Sequence, residues 1–191
     1  MTSVWRPPDV PSAADVVARF QRALRQNEPE AADGVGRMLL DLHHNNLMQW
    51  RCEDTTRGVD ASDATVAAAK RAIDAHNATR HVLVEAIDAA LADVVEQDRS
   101  ATPATESPAM VFDRLSVLTI RLHVTEAEAS GDHFGTRLPI LRDQVTTLQR
   151  ALDGLFADIR AGRKRFVPYL SFKLYGAPPT PEAPTADTRP D

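Results

Sequence analysis

Between residues 39 and 57, Leu39, Leu40, His43, Asn46, Leu47, Trp50, Glu53, Asp54 and Arg57 recur three and four apart. Wound as a helix at about 100° per residue, they fall within an arc of roughly 140°. Polar groups thus share the face that must pack against the rest of the protein. A carboxylate buried without a partner is too costly to stay ionised, so Glu53 or Asp54 must meet a cation or donor, shift its pKa, or face a wet cavity. Farther along, Asn77 and Arg80 interrupt the apolar stripe Val66, Ile73, Val84, Ile87 and Leu91, about one helical turn apart. Arg80 there is a natural counter-charge. Asp113 and Ser116 share one side of a third segment with Val117, Ile120 and Val124. The chemistry this set suits is acid–base work on a small polar metabolite. Glu53, Asp113 and His43 are the catalytic candidates. Arg80 would clamp an anion, Trp50 would form a wall, and Asn46, Asp54, Arg57, Asn77 and Ser116 would line the pocket. The alternative is a satisfied internal network that only fixes how helices register.

Other chemistries fit less well. A carboxylate-bridged metal pair in a helical bundle needs two Glu-x-x-His pairs facing inward. The match Asp41-x-x-His44 lies off the inner arc, and His123-x-x-Glu126 is reversed. No metal is expected; were one present, His43, Glu53 and Asp113 would be the first ligands to suspect. No glycine-rich phosphate loop or nucleophile elbow occurs, and Cys52 lies across its helix from His43. No cofactor is expected either. His76, His81 and His133 read as ordinary surface or partly buried histidines. Arg160, Arg163, Lys164 and Arg165 beside Phe166, Tyr169, Phe172 and Tyr175 read as cations on a helix C-terminus followed by aromatics that close the bundle.

Five helices must position these groups. Ser12, with Asp15 three residues on, caps a helix over about 13–26. A second runs from about 31 to 57 and stops at Gly58, taken as a left-handed terminator. The third and longest covers 62–97. Ser107-Pro108 opens a fourth over 108–129. After Gly135 a seam of Leu138, Leu141, Val145, Leu148, Leu152, Leu155 and Ile159 runs to Gly162 and could serve the core or a homodimer. No period-two alternation marks a strand, so the class is all-α. The domain expected is a single helical bundle over 12–175, after an irregular segment 1–11 and before a disordered Pro-rich tail 176–191.

Composition agrees with a soluble globular protein. The 191 residues are 43% hydrophobic, and 27 acidic against 22 basic residues give a net charge of −5, which argues against nucleic acid or anionic membrane as partner. One cysteine excludes an internal disulfide and suits a reducing cytoplasm. The opening MTSVWRPPDVPS has no apolar stretch behind a basic start, so a cytoplasmic, unexported protein is expected.

Four ordered blocks, LHHNNLMQWRCEDTTR, KRAIDAHNATRHVLVEAID, TESPAMVFDRLSVLTIRLHVTE and GRKRFVPYLSFKLYGAP, resemble the bacterial DUF4254 family over about residues 38–178. The resemblance falls on Leu42, His43, Asn46, Trp50, Glu53 and Asp54, on Lys70, Arg71, Ile73, Asp74, Asn77 and Arg80, and on Asp113, Arg114, Leu115 and Ser116. It implies an all-helical fold and a residue list rather than a reaction. Proximity of such proteins to glycosyltransferase genes implies a biosynthetic setting. Two functions are therefore expected as alternatives. One is an enzyme or enzyme-like protein that binds an anionic or sugar-bearing metabolite inside the bundle and runs an elimination, cyclisation, isomerisation or group transfer. The other is a non-catalytic accessory protein whose basic segment 163–175 docks a biosynthetic enzyme such as a glycosyltransferase.

Overall fold

The computed structural model describes residues 10–26, 32, 34–58, 61–128 and 135–171. Five helices form the bundle: α1 (Ala13–Arg25), α2 (Gly34–Thr56), α3 (Asp63–Val94), α4 (Pro108–Glu128) and α5 (Arg137–Arg160). The fold class is all-α, as the periodicity requires. Two-residue strands β1 (Thr102–Pro103) and β2 (Lys164–Arg165) pair in parallel and tie the approach to α4 to the exit from α5. Segments 1–9 and 172–191, including the whole expected tail, lie outside the described residues.

Local chemistry sets the helix ends. Ser12 Oγ accepts the Asp15 N–H at 3.1 Å and donates to the Asp15 carboxylate at 2.7 Å, while Asp153 of α5 accepts the Ala13 N–H at 3.0 Å. Ser62 Oγ accepts from Thr65 N–H at 3.2 Å to start α3. At the end of α5, Gly162 takes φ +67° and gives its N–H to Ile159, and Arg163 gives its own to Asp158. That pair of bonds closes the last carbonyls in a Schellman motif. Gly58 does not play the same part. Its φ is not left-handed, and its carbonyl accepts the Ala61 N–H at 3.1 Å.

The core is a single cluster drawn from all five helices, with Phe20, Leu42, Ile87, Leu91, Phe112 and Leu115 fully enclosed. α4 is central and buries residues on two sides, including Asp113 and Ser116. The α5 seam faces inward: Leu141, Val145, Leu152 and Ile159 are buried, and Phe112 meets Phe156 with ring centroids 6.4 Å apart. Leu138, Leu148 and Leu155 of the same seam are partly buried against that core. After α5, residues 166–171 run back along α3 as a strap. Its backbone N–H groups at Phe166, Tyr169 and Ser171 are accepted by Gln97, Asp88 and Glu85 of the α3 region.

α2 and α3 pack mainly on each other. Toward the turn between them, Val66 and Ile73 are only half-buried, and most of their neighbours on α3 are exposed. The helix wheel places Glu53, Asp54 and Arg57 inside; the structure places Glu53 half-buried and Asp54 and Arg57 at the surface. Here α4 and α5 leave a cleft beside α2 instead of closing on it, and Asp54 and Arg57 line that cleft.

Candidate functional site

The polar residues of α2, α3 and α4 meet in a hydrogen-bonded chain that begins in the core. His43 is buried, with its ring stacked on Phe20 at 4.3 Å and 7°. Its Nδ1 lies 2.9 Å from Ser116 Oγ. Asn46 Nδ2, one turn along α2, donates to Ser116 Oγ at 3.1 Å and to Asp113 Oδ1 at 2.9 Å. Arg80 closes the chain from α3: Nε lies 2.9 Å from both Asp113 oxygens, and Nη2 donates to Oδ2. Spacing makes this possible, since His43 and Asn46 are three apart on α2, and Asp113 and Ser116 three apart on α4.

Burial dictates the electrostatics. Removal from water drives the His43 imidazole down to about 4, partly opposed by the Phe20 backbone, so the ring is neutral at pH 7. Its Nε2 makes no hydrogen bond among the described residues. The bond to Asp113 holds Arg80 above the ordinary arginine range and outweighs partial burial, with smaller help from Tyr169 and Glu53. The pair is two-pronged, with the Asp113 side chain 7% exposed and that of Arg80 34% exposed. Both Asp113 oxygens accept hydrogen bonds, Oδ1 from Asn46 and Arg80 and Oδ2 from Arg80.

Arg80 reaches a pocket of about 220 Å³ whose walls also include His81, Val84, Met110, Arg114 and Tyr169. Tyr169 Oη lies 3.1 Å from His81 Nδ1, with the rings stacked 5.8 Å apart. Arg114 is paired to Glu106 at 2.7 Å. The volume falls below the roughly 300–1,000 Å³ of drug-sized sites, so it suits a metabolite of few heavy atoms. His81 and Tyr169 are the site residues that the sequence reading missed. The Phe166–Tyr169 aromatic run was visible, but not its return across 88 residues to α3.

The remaining candidates divide. Glu53 pairs with Arg57 at 3.6 Å and takes a bond from Gln49, and Asp54 pairs with Arg57 at 3.4 Å. Trp50, Asp54 and Arg57 line a different cleft, between α2, α4 and α5. The single pocket expected for all of them is therefore two, because the face of α2 crosses from one gap in the bundle to the next. Asn77 is half-buried and makes no hydrogen bond to the chain that Arg80 completes. Trp50 Nε1 is buried without an acceptor among the described residues, a cost of about 1–3 kcal/mol. The neighbouring face of α2 carries a link that the wheel did not single out: Asn45 Nδ2 donates to the His76 carbonyl at 3.0 Å, and its Oδ1 meets His76 Nδ1 at 2.9 Å. Among the described residues no three His, Cys, Asp or Glu side chains converge as a metal set. His43 and Asp113 meet through Ser116 and Asn46, and Glu53 turns to Arg57 instead.

Another cleft, about 560 Å³ between α1, α2 and α3, is walled largely by Val16, Phe20, Val35, Met38 and Leu39. Arg19 and Asp93 supply its charges, and the hydrogen-bonded chain does not open into it. No helix of the described residues is long and apolar enough to cross a membrane. No curated protein and no solved structure matches the chain. The family model described as "Protein of unknown function (DUF4254)" matches residues 36–167, a span that holds His43, Asn46, Arg80, Asp113 and Ser116. That span is more than half of the chain and contains its whole buried polar network, so the protein belongs to the DUF4254 family.

Proposed function

We propose that this protein binds a small, anionic, hydroxyl-bearing metabolite beside Arg80 and acts on it by acid–base chemistry within a biosynthetic pathway. The observation that carries the reading is the buried chain His43–Ser116–Asn46–Asp113–Arg80, which holds one guanidinium at the mouth of a small pocket. Asp113 fixes Arg80 through Nε and Nη2, which leaves Nη1 to meet a carboxylate or phosphate oxygen. The opposite wall supplies Tyr169 and His81, hydrogen-bonded to each other and able to donate or accept a proton at a ligand hydroxyl. His43 and Asp113 act as positioning residues, since one is sealed and neutral and the other saturated.

Thermal unfolding against lactate, citrate and glycerol 3-phosphate tests this reading. At least one should raise the melting temperature of the wild type, and Tyr169→Phe should weaken its binding by about tenfold, as expected for one lost hydrogen bond of about 1 kcal/mol or a little more. Equal shifts in both proteins, or none, would count against it. A second reading, an accessory protein, is favoured by Val167 and Leu170, which stand 56% and 60% exposed on the strap. A biosynthetic partner that co-purifies with the wild type and is lost on Leu170→Asp, with no ligand shift, would select it.

A further inference from the structure

We propose a second ligand site, distinct from the Arg80 pocket, in the cleft between α2, α4 and α5, and that it takes a ring compound bearing a phosphate or carboxylate. Three helical faces diverge there around a volume of about 610 Å³, within the range of roughly 300–1,000 Å³ typical of ligand sites. From α2 come Trp50, Asp54 and Arg57; from α4, Arg121, Val124, Thr125 and Glu128; from α5, Arg137, Ile140, Leu141 and Gln144. Each set follows the three–four spacing that places residues on one side of a helix. The arrangement has an apolar floor and a cationic rim.

The apolar part of the lining is Trp50 with Val124, Leu141 and Ile140. Ile140 is 60% exposed, a large aliphatic surface left open to water on a helix whose other large apolar residues turn inward. A flat ring laid between Trp50 and Ile140 would remove both from water. A small tilt of the indole would also give its orphaned Nε1–H an acceptor on the ligand.

The rim carries three guanidinium groups against two carboxylates. Arg57 is held by Asp54 and Glu53 in exposed pairs within its own helix, which bind weakly. Arg121 forms no ion pair among the described residues. An exposed arginine without a carboxylate, beside an aromatic wall, fits a planar oxyanion through its two-pronged fork. Thr125 and Gln144 add neutral donors on the α4 and α5 sides. The site therefore asks for both halves of the ligand, ring and anion. That separates it from the Arg80 pocket, which is too small for a substituted ring.

Fluorescence of Trp50 tests the proposal, read in the full chain with Trp5, the other tryptophan, changed to Phe. Phenyl phosphate should change the emission saturably, while inorganic phosphate and phenol bind about tenfold or more weakly, because each satisfies half of the site. Arg121→Met, an exposed change that leaves the core untouched, should weaken phenyl phosphate by about tenfold, the loss of one charge-assisted bond. Tyr169→Phe should leave the titration as it is. The proposal is overturned by an absence of saturable change, by an unaltered titration in Arg121→Met, or by weakening in Tyr169→Phe, which would put the ligand beside Arg80 instead.

Discussion

At the scale of single residues, two carboxylates that look alike in sequence differ sharply in their surroundings. Asp113 accepts from Asn46 and from two nitrogens of Arg80 while nearly enclosed; Glu53 sits 38% exposed against an exposed arginine of its own helix. Removing one partner of a fully buried pair costs about 3–5 kcal/mol, and the partial exposure of Arg80 brings Asp113→Asn below that range, to about 2–3 kcal/mol. In a chain of this size that lowers the melting temperature by roughly 5–10 °C. Glu53→Gln should stay within about 0.5 kcal/mol of the wild type. Scanning calorimetry on both variants checks the contrast, and equal losses would contradict the assignment of Asp113 to the network. The sequence supported suspicion of both residues for the same reason, a polar group on an apolar face. It could not rank them, because a wheel reports direction and says nothing of how far the covering helices extend.

Among the elements, the joints matter more than the helices. Ser12 and Gly162 were readable because each acts on backbone within a few residues of itself. Asp88 was not. Buried on α3, it accepts the Ala109 N–H at the start of α4 and the Tyr169 N–H of the strap, both at 2.9 Å, and it also bonds Ser107. In sequence it is one more charged residue on a long helix, and its partners lie 21 and 81 residues away. Asp88→Ala would leave two N–H groups without acceptors, a loss of about 2 kcal/mol at roughly 1 kcal/mol each. The strap should then exchange its amide hydrogens faster across residues 166–171. Mass-spectrometric exchange reads this directly, and unchanged protection there would show that Gln97 and Glu85 suffice.

For the molecule as a whole, two buried titrating groups pull its acid stability in opposite directions. His43 is held near 4 when folded, against an ordinary 6.5. As pH falls from 6.5 toward 4, the unfolded chain takes up a proton that the folded one refuses, so His43 removes stability across that window, on the order of 3 kcal/mol in full. Asp88 does the reverse. Burial raises its carboxyl above the usual range, so the folded state takes a proton first and gains stability as pH falls through that raised value. Urea unfolding at pH 7 and pH 4.5 should show a smaller loss for His43→Gln than for the wild type; parallel losses would mean that the imidazole is not held neutral. The helical class and the order of the helices were legible at this scale, because they follow from periodicity. The splitting of one α2 face between two clefts was not, since it depends on where α4 and α5 part.

The double duty of Asp88 also sets a timetable. During synthesis at about 5–20 residues per second, Ala109 follows Asp88 within roughly one to four seconds, whereas Tyr169 follows after roughly four to sixteen. The carboxylate can therefore seat the start of α4 on α3 while the strap has yet to be made. Among the residues that line the Arg80 pocket Tyr169 is the last to be synthesised, so that wall can close only after the rest of the lining exists.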